Sequence, residues 1–301
     1  MNFINGSVEI ISQGNTLIDG FKLIEKAARN CYKSEDKITE KSYERMLNML
    51  KESAHFSPME HMTIYLTIGR NSAENIERII NYINNPYSTV IYNDSIAFIT
   101  TNFRVIVEND WLNDLNFSGP PTLHKLRVTV KVNCSIGVSR EWNRHRTFSI
   151  SEQSTRYCNY SKEKFGSEIT FVIPQWIYKL QDEWANSIDS LDGSSLDYIK
   201  NLSGDGLLNE LSCRDRAVAS WLNNLKNVEQ DYLYLIKEHN FKPQEARSIL
   251  PLDTATCVYY TATVEQWEHF FDLRCSPSAH PDIKILADSL KNQFVKEGFI
   301  I

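Results

Sequence analysis

Residues 61–70, HMTIYLTIGR, place Ile64, Leu66 and Ile68 at every second position with Thr63, Tyr65 and Thr67 between them. Successive side chains of a strand point to opposite faces, so a period of two marks a strand with one buried and one solvated face. Pro58 stands just before it, where the strand ladder has not begun. The chain ahead has a different period. Between Leu17 and Tyr32, Leu17, Phe21, Leu23 or Ile24 and Ala28 recur at helical spacing, and from about Thr39 to Ser53 a second helix turns Tyr43, Met46, Leu47 and Leu50 inward. Two packed helices followed directly by a half-exposed strand restrict the fold to a mixed α and β class.

The rest of the chain keeps mixing the two periods. Residues from about Asn71 to Lys125 hold a helix (Ala73 to Ile83), short β-branched and aromatic runs from Ser88 and from Ala97, and a turn-rich stretch ending in Gly119, Pro120 and Pro121. This segment, about 71–125, reads as an insertion in a single domain spanning 1–301. A strand starts at Leu126 and a helix at Ile136, and helices follow over about Trp176 to Ala185 and Leu207 to Glu238. A short helix opens on Pro243, where a missing N–H costs nothing, and stops before Pro251. A strand from Thr254 to Thr261 leads into a helix whose start carries the capping-box pair Thr263 and Gln266.

No G-x-G-x-x-G and no G-x-x-x-x-G-K-S/T occurs, so any nucleotide or cofactor must be held by side chains rather than by a glycine-rich loop. The six cysteines, Cys31, Cys134, Cys158, Cys213, Cys257 and Cys275, lie far apart without C-x-x-C spacing, which argues against a zinc site or a disulfide framework and for small buried apolar residues. His55 and His61, six apart around a proline, are poor metal ligands, and no metal is expected.

With 42% hydrophobic and 23% charged residues the chain has the balance of an ordinary globular protein. No run approaches the roughly 18 to 20 apolar residues of a membrane helix, and the opening MNFINGSVEI lacks the plan of a signal peptide. A soluble cytoplasmic protein is expected, with no membrane partner. The formal charge of -6 argues against a surface given over to nucleic acid.

One stretch departs from that balance. Residues 138–164, VSREWNRHRTFSISEQSTRYCNYSKEK, hold six Lys/Arg against three Glu, a local +3. In an extended segment Arg144 and Arg146 share a side and His145 takes the other. Guanidinium forks bind phosphates bidentately, and the hydroxyls of Ser149, Ser151, Ser154 and Thr155 add neutral donors. Glu152 and Arg156 are four apart, so on a helical turn they would pair.

The order Arg144, His145, Arg146, Ser149, Glu152, Ser154, Arg156, Tyr157 resembles the signature RHRxxSxNExSxRY of the flavin-dependent thymidylate synthases, the ThyX family. It matches at every fixed position but one, where Ser151 replaces the usual Asn. HisPheSerProMetGluHis at 55–61 is similar to the family's H-x-[ST]-P-x-E-H segment. GluAlaArgSerIleLeuPro at 245–251 resembles its arginine-bearing helix end, and TrpGluHisPhePheAspLeuArg at 267–274 resembles the helix that ends in its essential arginine. The resemblance implies an α+β fold with a mixed or antiparallel central sheet flanked by helices, and a homotetramer.

It also implies a reaction. In that family FAD, reduced by NADPH, carries the hydride, methylenetetrahydrofolate gives the carbon, and dUMP becomes dTMP without an enzyme nucleophile. On the matching positions, Arg144, His145 and Arg146 are the flavin triplet, with Arg144 also near dUMP. Glu152, Ser154, Thr155 and Arg156 form the dUMP loop, with Glu152 close to both ligands, and Arg247 is a further dUMP arginine. His55 and Ser57 match flavin contacts, as do Thr263, Glu265 and His269, although Glu265 stands where other members carry a basic residue. Glu141 stands where the family commonly has a Gln contacting dUMP, and an ionised carboxylate cannot donate a hydrogen bond. Arg274 matches the arginine that stabilises charge on the uracil ring and makes C5 nucleophilic. Its place in line with Val264, Trp267 and Phe271 sends its stem along an apolar stripe, so its guanidinium needs a partner.

Two other readings remain. A flavin-dependent dUMP hydroxymethylase, or an enzyme modifying a related pyrimidine, would keep almost the same residues. A nucleic-acid-binding module would use the 138–164 patch with Trp142, Phe148, Tyr157 and Tyr160 as stacking faces.

Overall fold

The computed structural model describes residues 1–163, 166–186 and 204–301; Lys164, counted in the basic stretch, lies outside them. Strands β1 (Asn2–Ile4) and β2 (Ser7–Ile11) precede α1 (Leu17–Tyr32) and α2 (Ser42–Glu52). Thr16 and Asp19 close a capping box on α1. Its inward face is Leu23, Ile24, Ala27 and Ala28. Leu17, expected inward, is exposed, because it is the first helical residue and lies beyond the packed turns.

Next come β3 (Thr63–Gly69), α3 (Ala73–Asn84), β4 (Thr89–Asn93), β5 (Ile96–Asn102) and α4 (Phe103–Glu108). β3 alternates as its sequence dictates, with Ile64, Leu66 and Ile68 buried and Thr67 exposed. It pairs antiparallel with β5 from Thr63↔Asn102 to Gly69↔Ile96, and β5 pairs with β4, giving a three-stranded sheet in the order β3-β5-β4. The segment 71–125 is thus built onto a strand that precedes it. Ile79, Tyr82, Ile99, Phe103 and Ile106 share one core with Met59, Met62 and the buried face of β3.

The second half runs β6 (Arg127–Ser135), α5 (Ile136–Trp142), β7 (Ser149–Glu152), β8 (Thr170–Val172), α6 (Gln175–Asn186), α7 (Gly204–Arg214), α8 (Arg216–Lys237), α9 (Pro243–Ala246), β9 (Ala255–Thr263), α10 (Val264–Arg274) and α11 (Pro281–Lys296). The single helix expected over 207–238 is two. Asp215 accepts the Ala217 N–H at 2.7 Å and starts α8 afresh. The break lets Leu207, Leu208 and Leu211 pack with Ile173 and Ile177, while Leu225 and Tyr232 enter a different cluster with Phe171.

The central sheet has four antiparallel strands in the order β2-β6-β9-β7, with β6 and β9 paired from Arg127↔Thr263 to Ser135↔Ala255. On one face Val130, Tyr260, Trp142, Trp267, Phe270 and Phe294 form a core with α5, α10 and α11. On the other, Tyr259 packs against Leu23 and Ala27 of α1. Burying each large apolar side chain contributes about 1.5–3 kcal/mol, so the sheet is clamped from both sides. The fold is α+β, with an antiparallel central sheet flanked by helices. Cys31, Cys134, Cys158 and Cys257 are buried, Cys213 is exposed and Cys275 half-buried. No described helix is long and apolar enough to cross a membrane.

Candidate active site

α5 ends at Trp142, which is fully buried against Tyr260 and Phe270, and a turn carries the chain into β7. The His145 N–H donates to the Trp142 carbonyl at 2.9 Å and the Phe148 N–H to the His145 carbonyl at 3.1 Å. Within that turn His145 points inward and Arg144 and Arg146 outward, the split expected of the triplet. Both arginines lack a carboxylate partner among the described residues. They open with His145 on a cavity of about 460 Å³ that α10 closes with Glu265, His269 and Arg274 over an apolar floor of Phe148 and Leu273.

Arg274 has the partners its apolar stripe demands. Its Nε donates to His145 Nε2 at 3.1 Å, one terminal nitrogen to a Glu141 carboxylate oxygen at 3.1 Å, and the other to the Glu141 carbonyl at 2.9 Å. That carbonyl is one of the orphan acceptors at the end of α5, and Arg274 itself ends α10, so two helix C-termini favour the same cation. Burial, with the Arg274 charge and His269 adding, pushes the His145 imidazole down to about 4. The ring is therefore neutral near pH 7, and because Nε2 accepts, its proton sits on Nδ1.

A second cavity of about 330 Å³, sharing no residue with the first, is lined by Ser139, Arg140, Glu152, Ser154, Thr155 and Arg247. Arg247 donates to the Thr155 hydroxyl at 3.2 Å. Glu152 accepts from Ser139 at 2.8 Å, Thr256 at 3.2 Å and Asn143 at 3.3 Å. The expected Glu152–Arg156 pair is not formed. Glu152 ends a strand, so a residue four further on is not its neighbour, and the Arg156 guanidinium lies over the Tyr157 ring at 5.7 Å. Within one chain Glu152 lines only this cavity and Arg144 only the first.

Ser139 and Arg140 were not singled out from the sequence as site residues. Their signal was helical spacing: with Ile136 they fall at i, i+3 and i+4, one face of α5. Glu141 lines neither cavity and meets the site only through Arg274.

Besides Glu141, four expected residues lie apart: Arg156, expected in the nucleotide loop, borders neither cavity, and neither do His55, Ser57 and Thr263. His55 Nδ1 is 3.1 Å from the Tyr32 hydroxyl, and the Tyr32 ring lies 5.2 Å from that of Tyr157. The Thr263 hydroxyl is committed to capping α10 through the Gln266 N–H. Glu265 is ion-paired to Lys125 at 2.9 Å. In the same segment as His55, His61 is wholly buried with Nδ1 2.8 Å from the Thr261 hydroxyl, which makes it a core residue. The stacking platform of the nucleic-acid reading is also absent: Trp142, Phe148 and Tyr160 are buried, and of the four only Tyr157 is exposed.

Residues 115–297 match the family described as thymidylate synthase complementing protein. The match takes in both cavities and omits His55 and Ser57. Relatives named flavin-dependent thymidylate synthase include one from Aquifex aeolicus, 22% identical over 328 aligned positions covering 91% of this chain and 94% of the relative. One from Pyrococcus furiosus is 24% identical over 237 positions, 74% of this chain and 80% of the relative. One from Synechocystis is 24% identical over 174, where the match spans 56% of this chain and 66% of the relative. Among solved structures a UMP/dUMP methylase PolB from Streptomyces cacaoi, bound with 5-Br dUMP, overlaps 98% of this chain and 93% of its own at 18% identity with a TM-score of 0.42, too loose an overlap to speak to the site.

Proposed function

The chain belongs to the thymidylate synthase complementing protein family, and from that premise we propose that it is a cytoplasmic flavin-dependent thymidylate synthase, converting dUMP to dTMP with methylenetetrahydrofolate as carbon donor. The observation that carries this reading is Arg274, held by Glu141 and His145 in the same cavity as Arg144 and Arg146.

The first cavity fits FAD by its donor set. Two guanidinia without carboxylate partners suit its diphosphate, and neutral His145 suits its planar ring. Bound there and reduced by NADPH, the flavin supplies the hydride. The second cavity fits the nucleotide monophosphate: Arg140 and Arg247 provide charge, and Ser154 and Thr155 provide hydroxyl donors. Arg274 donates to the pyrimidine, stabilising the negative charge delocalised over the ring that makes C5 nucleophilic. The two cavities share no lining residue within one chain, so in this reading the nucleotide on one copy meets the flavin cavity of another within a homotetramer.

The test is incubation with dUMP, methylenetetrahydrofolate and NADPH, with mass analysis of the nucleotide. The expected product has gained one methyl group. A hydroxymethylated product would convert the assignment to the related hydroxymethylase, and unchanged dUMP with flavin-loaded protein would refute it.

A further inference from the structure

Arg274 has five N–H donors and spends three of them within the protein. Two of the three go to one residue, Glu141, which receives one through its carboxylate and one through its own carbonyl. His145 holds the guanidinium at Nε alone, and a single bond leaves the plane of the group free to swing. The Glu141 carbonyl, a backbone group that side-chain substitution leaves in place, holds one terminal nitrogen, and the Glu141 carboxylate holds the other, so the carboxylate is the contact that completes the fixing of the plane. The two bonds also determine which donors remain for a ligand: one N–H on each terminal nitrogen. The ion pair is no loose surface contact, since the Arg274 side chain is 15% and that of Glu141 25% exposed. Glu141 lines neither cavity, so a direct hold on a ligand in either is not what its position offers.

We infer that Glu141 is a positioning residue, acting through Arg274 by fixing the plane of its guanidinium, rather than a binding residue for the nucleotide. This rests on the reading of Arg274 as the group that polarises the pyrimidine. It also accounts for a carboxylate here: the pairing needs only acceptors, which a carboxylate supplies along with opposite charge.

The experiment compares Glu141→Ala and Glu141→Gln with the wild type as flavin-loaded enzymes. Misplacing a reacting group by about an ångström costs on the order of a hundredfold, so Glu141→Ala is expected to lose kcat by roughly tenfold to a hundredfold, with KM for dUMP within a few fold and FAD content unchanged. Glu141→Gln keeps an acceptor oxygen and is expected to recover most of that loss. A rise in KM at wild-type kcat would overturn the inference in favour of direct binding. If Glu141→Ala does not fold, Glu141→Asp, which withdraws the carboxylate by one methylene, takes its place with the same expectation. A crystal structure of the variant decides independently of turnover. A guanidinium turned out of its wild-type plane at the terminal nitrogen the carboxylate held supports the inference, and one in its wild-type plane overturns it. A wild type that leaves dUMP untouched would refute the functional reading alone, and the position of Arg274 in the variant would still settle the role of Glu141.

Discussion

Nε of Arg274 donates to Nε2 of His145 at 3.1 Å, joining the last residue of α10 to the turn after α5 across 129 residues. The bond requires a neutral imidazole, so the same contact that aims the arginine also keeps a second positive charge out of the cavity. If Arg274 stabilises charge that develops during reaction, Arg274→Ala loses turnover by on the order of a hundredfold or more while FAD stays bound. Steady-state kinetics and the flavin absorption spectrum check it; near-normal turnover would return Arg274 to a helix-end cation.

The flavin site is expected to depend on the two outward guanidinia of the triplet. The purified protein should be yellow with non-covalent FAD. Arg144→Ala and Arg146→Ala should each weaken FAD binding by about tenfold or more, the scale of a lost hydrogen bond to a charged group. Titration of apoprotein with FAD reads this directly, and a colourless wild type that ignores added FAD would contradict it.

Arg140 lies in the other cavity, so its loss should be felt by the nucleotide. Arg140→Ala is expected to raise KM for dUMP by about tenfold or more, with FAD content unchanged. Unaltered KM would leave Arg140 as a solvated residue on α5.

Cys158 follows Tyr157 in sequence and is the tempting nucleophile, yet it is fully buried in a cluster with Tyr160, Ile169 and Phe171. Cys158→Ser should keep dTMP formation within a few fold. Mass spectrometry of denatured wild-type protein after turnover should find no dUMP adduct; an adduct together with a dead, flavin-loaded variant would reverse the assignment.

Burial, with the Arg127 charge adding, pushes His61 down to about 3. In the unfolded chain the same imidazole titrates near 6.5. Above that pH neither state binds the proton and the contribution to stability is whole. As pH falls from about 6.5 towards about 3, only the unfolded chain takes the proton, so stability is lost, by about 2 kcal/mol at pH 5. Urea unfolding at pH 7.5 and pH 5, at one protein concentration, should show the loss, and His61→Asn should reduce the difference. An equal pH dependence in the variant would assign the effect elsewhere.

What could be read from the sequence was set by local geometry. The Thr263 and Gln266 box needs only four residues, and the stripe from Val264 to Arg274 only one helix, so both were legible; the opposite sides of His145 and the two arginines were assigned for an extended segment, whereas a turn makes the split and buries His145. The Glu152–Arg156 pair failed because it presumed a helical turn where β9 draws the chain into a strand, pairing Glu152 with Val258 more than a hundred residues away. The break at Asp215 was hidden for a related reason: two cores compete for the leucines of one apolar run, and neither is visible within the run. The division into two cavities lay beyond sequence reading altogether, since residues 138–156 are contiguous and only folding sends Arg144 to one cavity and Glu152 to the other.

The strand β3 belongs at once to the body of the molecule and to the lobe formed by 71–125. An engineer trimming the lobe would cut away β5, its ladder partner, together with the Ser118 bridge to Leu66, and would strip paired backbone beyond Thr63, which keeps Gln13, beside the bared Ile64, Leu66 and Ile68. Such an edge recruits strands from other molecules, so a truncated protein is expected to precipitate rather than shrink into a smaller enzyme.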